Sequence, residues 1–144
     1  MSTLTVIRKY FLSVVAVLCM MFAAQAMHAQ IGAGEVQLGV NTTTVSNGGT
    51  NATEALSTNT TYTVAISLQG VTGNGGSTSY SCYVTPSGGN TTLFFSGSVT
   101  QSSLITTQWT TGSEGTSYVW YCTASYGGQH VNGTVTTPTI TVTT

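Results

Sequence analysis

The sequence predicts an all-β protein: a single antiparallel β-sandwich of about seven strands that follows a cleaved signal peptide. Three observations lead to this prediction. Between residues 30 and 144 the apolar side chains come in runs that alternate with polar ones, and no segment repeats with the helical period. The runs are rich in Thr, Val, Tyr and Ile, which suit pleated strands, and glycine-rich turns separate them. About 115 residues are enough for one hydrophobic core and too few for two domains.

The N-terminal segment, residues 1–29, has the pattern of an export signal. Both basic residues of the chain, Arg8 and Lys9, precede a nearly continuous apolar stretch over residues 10–24, and small residues follow. This order is typical of a secretory signal peptide, so we expect an extracellular or periplasmic product without membrane insertion after cleavage. The alternative is an uncleaved anchor, because about 18 residues lie at the lower limit for crossing a bilayer. The two expected cleavage points are after Ala26 and after Ala29.

Residues 30–144 form the predicted sandwich domain, in which glycine, asparagine or proline bounds each strand. Alternation is clearest around Tyr62–Leu68 and along Ser117–Tyr126, whereas Thr50–Thr60 is predicted to be a loop. Pro138 fits an edge or a bulge in the last strand. The seven predicted strands are Val36–Val45, Tyr62–Leu68, Tyr80–Val84, Thr91–Val99, Leu104–Trp109, Ser117–Tyr126 and Gln129–Thr144.

Two glycine pairs allow the strand register to be predicted. If Gly127-Gly128 is a two-residue turn, the numbers of opposed residues sum to 255, and Cys122 faces Gly133. The same treatment of Gly88-Gly89 gives a sum of 177. It places Leu93 and Phe95 on one face of their strand and Phe94 on the other. The predicted pairs there are Val84 with Leu93 and Cys82 with Phe95; the predicted core-facing residues of the late strand are Tyr118, Trp120, Cys122 and Ala124.

Two cysteines remain after the predicted cleavage, Cys82 and Cys122. Both are expected to point into the core, in a compartment that oxidises thiols. We therefore predict one disulfide between the third and the sixth predicted strands. The alternative is a pair of buried free thiols.

Two stretches resemble known secreted modules. The run from Val36 to Gly49 is similar to the opening strands of bacterial immunoglobulin-like modules. The run from Thr106 to Tyr121, in which a Trp closes one strand and an aromatic-rich strand follows a glycine turn, resembles the late strands of CARDB-type adhesion modules. The resemblance implies an immunoglobulin-like sandwich. It leaves open whether Cys82 lies on the second or the third sandwich strand.

The charged residues exclude several functions. No Lys or Arg follows Lys9, so the mature chain cannot bind nucleic acid or anionic lipid through cations. Its three carboxylates, Glu35, Glu54 and Glu114, lie in separate segments, and His130 is isolated near a turn. No nucleophile elbow or metal-ligand cluster is present. We therefore predict a protein that is not an enzyme and has no cofactor.

Aromatic side chains are the candidates for binding. Tyr83, Phe94 and Tyr121 are predicted to point away from the core, and exposed rings contact sugars or proteins. The alternative is simple cross-strand pairing of rings on a solvated face. The tentative ligand-binding residues are Tyr83, Tyr121, Trp109 and Tyr126.

Three functions remain for such a chain. The first is a secreted structural or adhesive module, whose partner would be an envelope or matrix protein or a glycan. The second is a carbohydrate-binding module that uses exposed aromatics. The third is a self-assembling fibre subunit in which a Thr-rich terminal strand adds to the sheet edge of a neighbour.

Overall fold

A computed structural model describes residues 35–71, 76–127 and 132–144, and within these ranges it contains ten β-strands and no helix. The all-β fold class is therefore confirmed, although two predicted strands divide and one additional strand appears. No helix in the described ranges is long and apolar enough to span a membrane. The strands are β1 (Glu35–Val40), β2 (Thr43–Ser46), β3 (Ala52–Ala55), β4 (Thr61–Gln69), β5 (Thr78–Pro86), β6 (Thr92–Val99), β7 (Ser103–Thr110), β8 (Ser117–Gly127), β9 (Asn132–Thr136) and β10 (Ile140–Thr143).

The strands form two sheets. The first has the order β2-β1-β4-β7, and the second has the order β3-β10-β8-β5-β6, with β9 also paired to β8. Among the described strands, every neighbouring pair is antiparallel except β3 with β10, which is parallel. Apolar side chains from both sheets form one core cluster, which includes the fully buried Leu38, Ile66 and Trp120. The two sheets are therefore the layers of a sandwich.

Alternating side chains build this core as the sequence predicts. Val64, Ile66 and Leu68 of β4 are fully buried, and so are Trp120 and Ala124 of β8. The intervening residues face outward because successive side chains of a strand point to opposite faces. The Trp120 ring lies at the centre, with edge contacts to Phe94 at 4.9 Å and to Trp109 at 5.1 Å between ring centroids.

The predicted disulfide is confirmed. Cys82 of β5 and Cys122 of β8 are bonded, directly opposed and fully buried, with their Cα atoms 4.1 Å apart. The bond joins neighbouring strands of one sheet. In antibody domains the corresponding bond joins the two sheets.

The first predicted strand is wrong, because Val36–Val45 is a hairpin. The chain reverses at Asn41-Thr42, so that Val40 pairs with Thr43. Asn41 has a φ of 51°, a left-handed conformation that Asn adopts more readily than most residues. The run of Thr and Val continues across this turn, so composition did not reveal it.

The predicted loop at Thr50–Thr60 is also wrong in part. It contains β3, which pairs in parallel with the C-terminal strand β10. The amide Oδ1 of Asn51 accepts a hydrogen bond from the Thr139 N–H at 3.1 Å and helps to align the two segments. The partner strand is distant in sequence, so local composition could not indicate the pairing.

The last predicted strand is interrupted at residues 137–139, where Pro138 separates β9 from β10. The Thr137 N–H donates to the Cys122 carbonyl, and the Cys122 N–H donates to the Thr137 hydroxyl at 3.0 Å. The side chain of Thr137 thus takes the place of a backbone acceptor at the break.

The register of β8 with β9 differs from the predicted sum of 255. Tyr126 pairs with Gly133 and Ala124 with Val135, which gives a sum of 259, so Cys122 does not face Gly133. Residues 128–131 of the connection lie outside the described ranges. The shift of four is even, and it therefore leaves every β8 side chain on its predicted face.

The register of β5 with β6 is half confirmed. Cys82 faces Phe95 as predicted, but a bulge between Cys82 and Tyr83 places Leu93 opposite Tyr83 instead of Val84. A bulge re-aims the side chains beside it. As a result Leu93 joins the outer face and Phe94 packs against the core residue Trp120, which reverses their predicted positions.

Candidate functional site

Two tyrosines stack on the outer face of the second sheet. Tyr83 of β5 and Tyr121 of β8 are directly opposed, and their ring centroids lie 5.1 Å apart with an interplanar angle of 19°. Each ring follows or precedes a bonded cysteine in sequence, so it points to the face opposite the disulfide. Both are half-buried. The predicted outward direction of this pair is therefore confirmed.

Leu93 extends the tyrosine pair onto a third strand. It lies on β6 opposite Tyr83, and 55% of its surface is exposed. Val119 is two residues from Tyr121 on the same face of β8 and is half-buried. We call these four residues, Leu93, Tyr83, Tyr121 and Val119, the outer patch. When a partner covers an exposed leucine beside two rings, apolar surface leaves water and the free energy falls, so this surface favours association.

Small hydroxyl side chains border the outer patch. Ser81 and Thr123 form the neighbouring outward pair between β5 and β8, and Thr85 faces Val119 on the other side. The Thr85 hydroxyl lies 2.7 Å from that of Thr91, so the two share a hydrogen bond. None of β5, β6 and β8 contains a charged residue. The site can therefore bind an uncharged surface through ring contacts, apolar burial and hydroxyl hydrogen bonds.

Trp109 is not an exposed ring, contrary to the prediction. Only 8% of its surface is accessible, and its ring packs edge-on against Trp120 and against Tyr118, whose ring centroid is 5.0 Å away. Trp109 shares the inward face of β7 with Ile105 and Thr107. That two-residue spacing was present in the sequence and could have indicated its burial.

Tyr126 also lies outside the outer patch. It is half-buried, packs against the core cluster, and its ring covers Gly133 on the neighbouring strand. A glycine opposite a ring leaves room for the ring to lie flat across the strand. Two of the four predicted binding residues, Tyr83 and Tyr121, are thus brought together, whereas Trp109 lies in the core and Tyr126 packs against it. Leu93 was missed because the bulge that exposes it leaves no signature in the sequence.

Glu54 of β3 is held by hydrogen bonds from the turn between β1 and β2. Its carboxylate accepts hydrogen bonds from Asn41 Nδ2 at 2.9 Å, from the Thr42 hydroxyl at 3.0 Å and from the Thr43 hydroxyl. The bond from Thr43, followed by that from Asn41, lowers the pKa of Glu54. These bonds attach β3 of the second sheet to the β1–β2 turn of the first.

The other two carboxylates of the described ranges lie in separate segments of the chain. Glu35 begins β1 and Glu114 lies in the loop before β8, while His130 is outside the described residues. Within the ranges that the structure describes, no group of three or more His, Cys, Asp or Glu side chains could hold a metal ion.

The chain matches no protein-family model and no curated protein. Its class therefore rests on the fold and the site described above. These define a disulfide-linked β-sandwich protein whose outer face presents a stacked tyrosine pair.

Proposed function

We propose that this protein is a secreted, non-enzymatic structural or adhesive module that contacts its partner through the outer patch. The observation that carries the proposal is the stacked pair of Tyr83 and Tyr121 with the exposed Leu93 beside it. Tyrosine is enriched in protein interfaces because its ring buries a large area while its hydroxyl keeps a polar partner.

The export signal in the sequence and the buried disulfide support secretion. A disulfide persists in oxidising compartments and is rare in the cytosol. The arrangement of Arg8-Lys9, the apolar stretch and the small residues after it is the sequence feature that directs export.

The geometry favours a protein partner over a glycan. The two rings stack on each other, so one face of each ring is already occupied. A sugar that stacks on an aromatic residue needs an open ring face. A protein surface can instead cover Leu93 and accept hydrogen bonds from the tyrosine hydroxyls. The partner that fits is an uncharged envelope or matrix protein, and a glycan-binding module is the alternative.

The test is retention of the purified protein on envelope and extracellular-matrix material of the producing cells. The double variant Tyr83→Ala/Tyr121→Ala should lose retention while its circular dichroism spectrum keeps its β-sheet form. The matched control is Ser81→Ala/Thr123→Ala, which alters the neighbouring outward pair and should be retained like the wild type. A third variant, Tyr83→Phe/Tyr121→Phe, keeps the stacked rings and isolates the contribution of the two hydroxyls.

Four outcomes would count against the proposal. Absence of wild-type retention, or equal retention of the Ala variant, would remove the adhesive role of the outer patch. Binding on a glycan array that the Ala variant loses would favour the carbohydrate-binding alternative. Filaments that form with rising concentration and are unaffected by the Ala variant would favour the fibre subunit.

A further inference from the structure

The two lateral sides of the sandwich differ in how their strand edges are protected. On one side the edge strands are short: β2 and β3 have four residues each and β9 has five. The Glu54 carboxylate also joins β3 to Thr43 of β2 and to the Asn41-Thr42 turn. Short strands and a charge are devices that prevent edges from pairing with other chains. On the opposite side the edges are β7 and β6, each of eight residues.

Strand β7 has none of these protections. Its sequence, Ser103–Thr110, contains no charged residue, no proline and no glycine, and its ladder with β4 is regular throughout. Strand β6, in contrast, is interrupted by the bulge and contains Gly97. Leu104 of β7 is 69% exposed, which is more than Leu93, the other exposed large hydrophobic residue of the described ranges. A long, flat and uncharged edge of this kind is a template for another strand.

The backbone groups available at this edge can be identified. The Thr111 N–H donates to the Thr60 carbonyl, which continues the β4–β7 ladder by one pair. Hydrogen-bonded pairs alternate along an antiparallel ladder, so the odd-numbered residues of β7 bond to β4. The N–H and C=O groups of the even-numbered residues therefore point away from β4, beyond the edge of the sheet. These residues are Leu104, Thr106, Gln108 and Thr110.

We propose that β7 pairs antiparallel with β7 of a second copy of this chain about a twofold axis. The partner is a second copy because the edge is uncharged, so two copies meet without repulsion, and because its pattern is self-complementary. The even-numbered residues carry the backbone N–H and C=O groups that point beyond the edge. Each of them must therefore lie opposite an even-numbered residue of the second copy, and opposed residues then share a face of the sheet. A register in which opposed numbers sum to 214 pairs Leu104 with Thr110 and Thr106 with Gln108. It uses all four free positions and places Thr107 opposite itself.

This pairing would join the two four-stranded sheets into one continuous sheet and cover part of Leu104. It does not involve the outer patch, which lies on the other sheet. The inference therefore goes beyond the proposed function, and either one can fail without the other.

The first experiment compares two prolines on adjacent residues by sedimentation velocity over a range of concentrations. The wild-type protein should show a monomer–dimer equilibrium. Thr106→Pro removes an N–H that faces outward and inserts a ring into the edge, so it should lose the dimer while the monomer keeps its melting temperature. Thr107→Pro removes an N–H that bonds to β4, so it should lower the melting temperature. A wild type that remains monomeric, or a Thr106→Pro variant that still dimerises, would overturn the proposal.

The second experiment tests the register by disulfide trapping. Thr107→Cys places two thiols opposite each other at the twofold axis, and it should give a covalent dimer on a non-reducing gel. Ser103→Cys, a conservative change on the same face of β7, is the matched control and should give no covalent dimer on the gel because Ser103 does not oppose itself. Peptide mapping should find a bond between the two copies of residue 107 with Cys82–Cys122 intact. Trapping of Ser103→Cys, or absence of trapping for Thr107→Cys, would contradict this register.

Discussion

Tyr83 and Tyr121 stack on the face of the sheet opposite the disulfide, one residue pair along the β5–β8 ladder from Cys82 and Cys122. The same two strands are thus joined covalently on the core face and by ring contact on the outer face. A surface held in this way loses little conformational freedom when a partner covers it, which lowers the entropic cost of binding. The core bond therefore also orders the outer patch.

Removal of the disulfide should destabilise the fold. The variant Cys82→Ala/Cys122→Ala opens a loop of 40 residues, and its free energy of unfolding should fall by about 4 kcal/mol on the chain-entropy relation. Urea unfolding of the variant and the wild type measures this difference. Wild-type protein in reducing agent is the control and should approach the variant, whereas equal stability of all samples would contradict a structural role for the bond.

The two stacked tyrosines should be energetically coupled. A double-mutant cycle of Tyr83→Ala and Tyr121→Ala should give a coupling energy of about 1 kcal/mol, since stacked aromatic pairs contribute that much beyond their burial. Unfolding of the four proteins in denaturant measures the coupling. The cycle Ser81→Ala with Thr123→Ala, at the neighbouring pair, should show much less. Coupling near zero in the tyrosine cycle would mean that the rings do not stack in solution.

Glu54 should make part of the stability dependent on pH. Its pKa is lowered in the folded state by the hydrogen bonds from Thr43 and Asn41, so its contribution is present above the unfolded pKa of about 4.3 and is lost as the pH falls through the lower folded value. Glu54→Gln should weaken the acid dependence, because the titrating carboxyl group is removed. It should lower the free energy of unfolding at neutral pH by only about 1 kcal/mol, because solvent partly screens hydrogen bonds to a charge near the surface.

Unfolding measured from pH 7 to about pH 3 tests this behaviour of Glu54. Glu35→Gln is the matched control, since it removes the same charge at an exposed position at the start of β1. An identical pH profile for wild type and Glu54→Gln would contradict the role of Glu54 in joining the sheets.

An added methyl group should be less well tolerated at Gly97 than at Gly39. A Cβ at residue 97 would lie 2.5 Å from the Tyr80 hydroxyl oxygen and 2.8 Å from the adjacent ring carbon, so the ring would have to move. Gly97→Ala should therefore lower stability by about 1–3 kcal/mol, as overpacking does. At Gly39 the nearest atom would be 3.5 Å away, and Ala should be neutral or slightly stabilising. Thermal unfolding compares the two, and equal effects would contradict the ring position.

The secreted product should begin at Met27 or Gln30, as cleavage after Ala26 or Ala29 requires. Intact mass of the protein recovered outside the cytoplasm measures the start. A mass that includes residues 1–26 would contradict the prediction and leave the uncleaved anchor as the explanation.

The outer patch shows how far the sequence could predict a site. Tyr83 and Tyr121 were predictable because each is adjacent to a core-facing cysteine, and alternation then forces both rings outward. Leu93 was not predictable, because one bulge decides which face it takes. Trp109 is buried although it lies near the end of β7, because it is four residues from Ile105 and therefore shares its inward face.

The sequence by itself determined the all-β class, the inward direction of Cys82 and Cys122 and the core faces of β4 and β8, because two-residue alternation and turn residues act locally. The tertiary structure decided the register, the bulge before Tyr83 and the parallel pairing of β3 with β10. These features depend on backbone hydrogen bonds and packing between segments far apart in the chain. No local pattern specifies which distant strand will satisfy a given strand's free N–H and C=O groups.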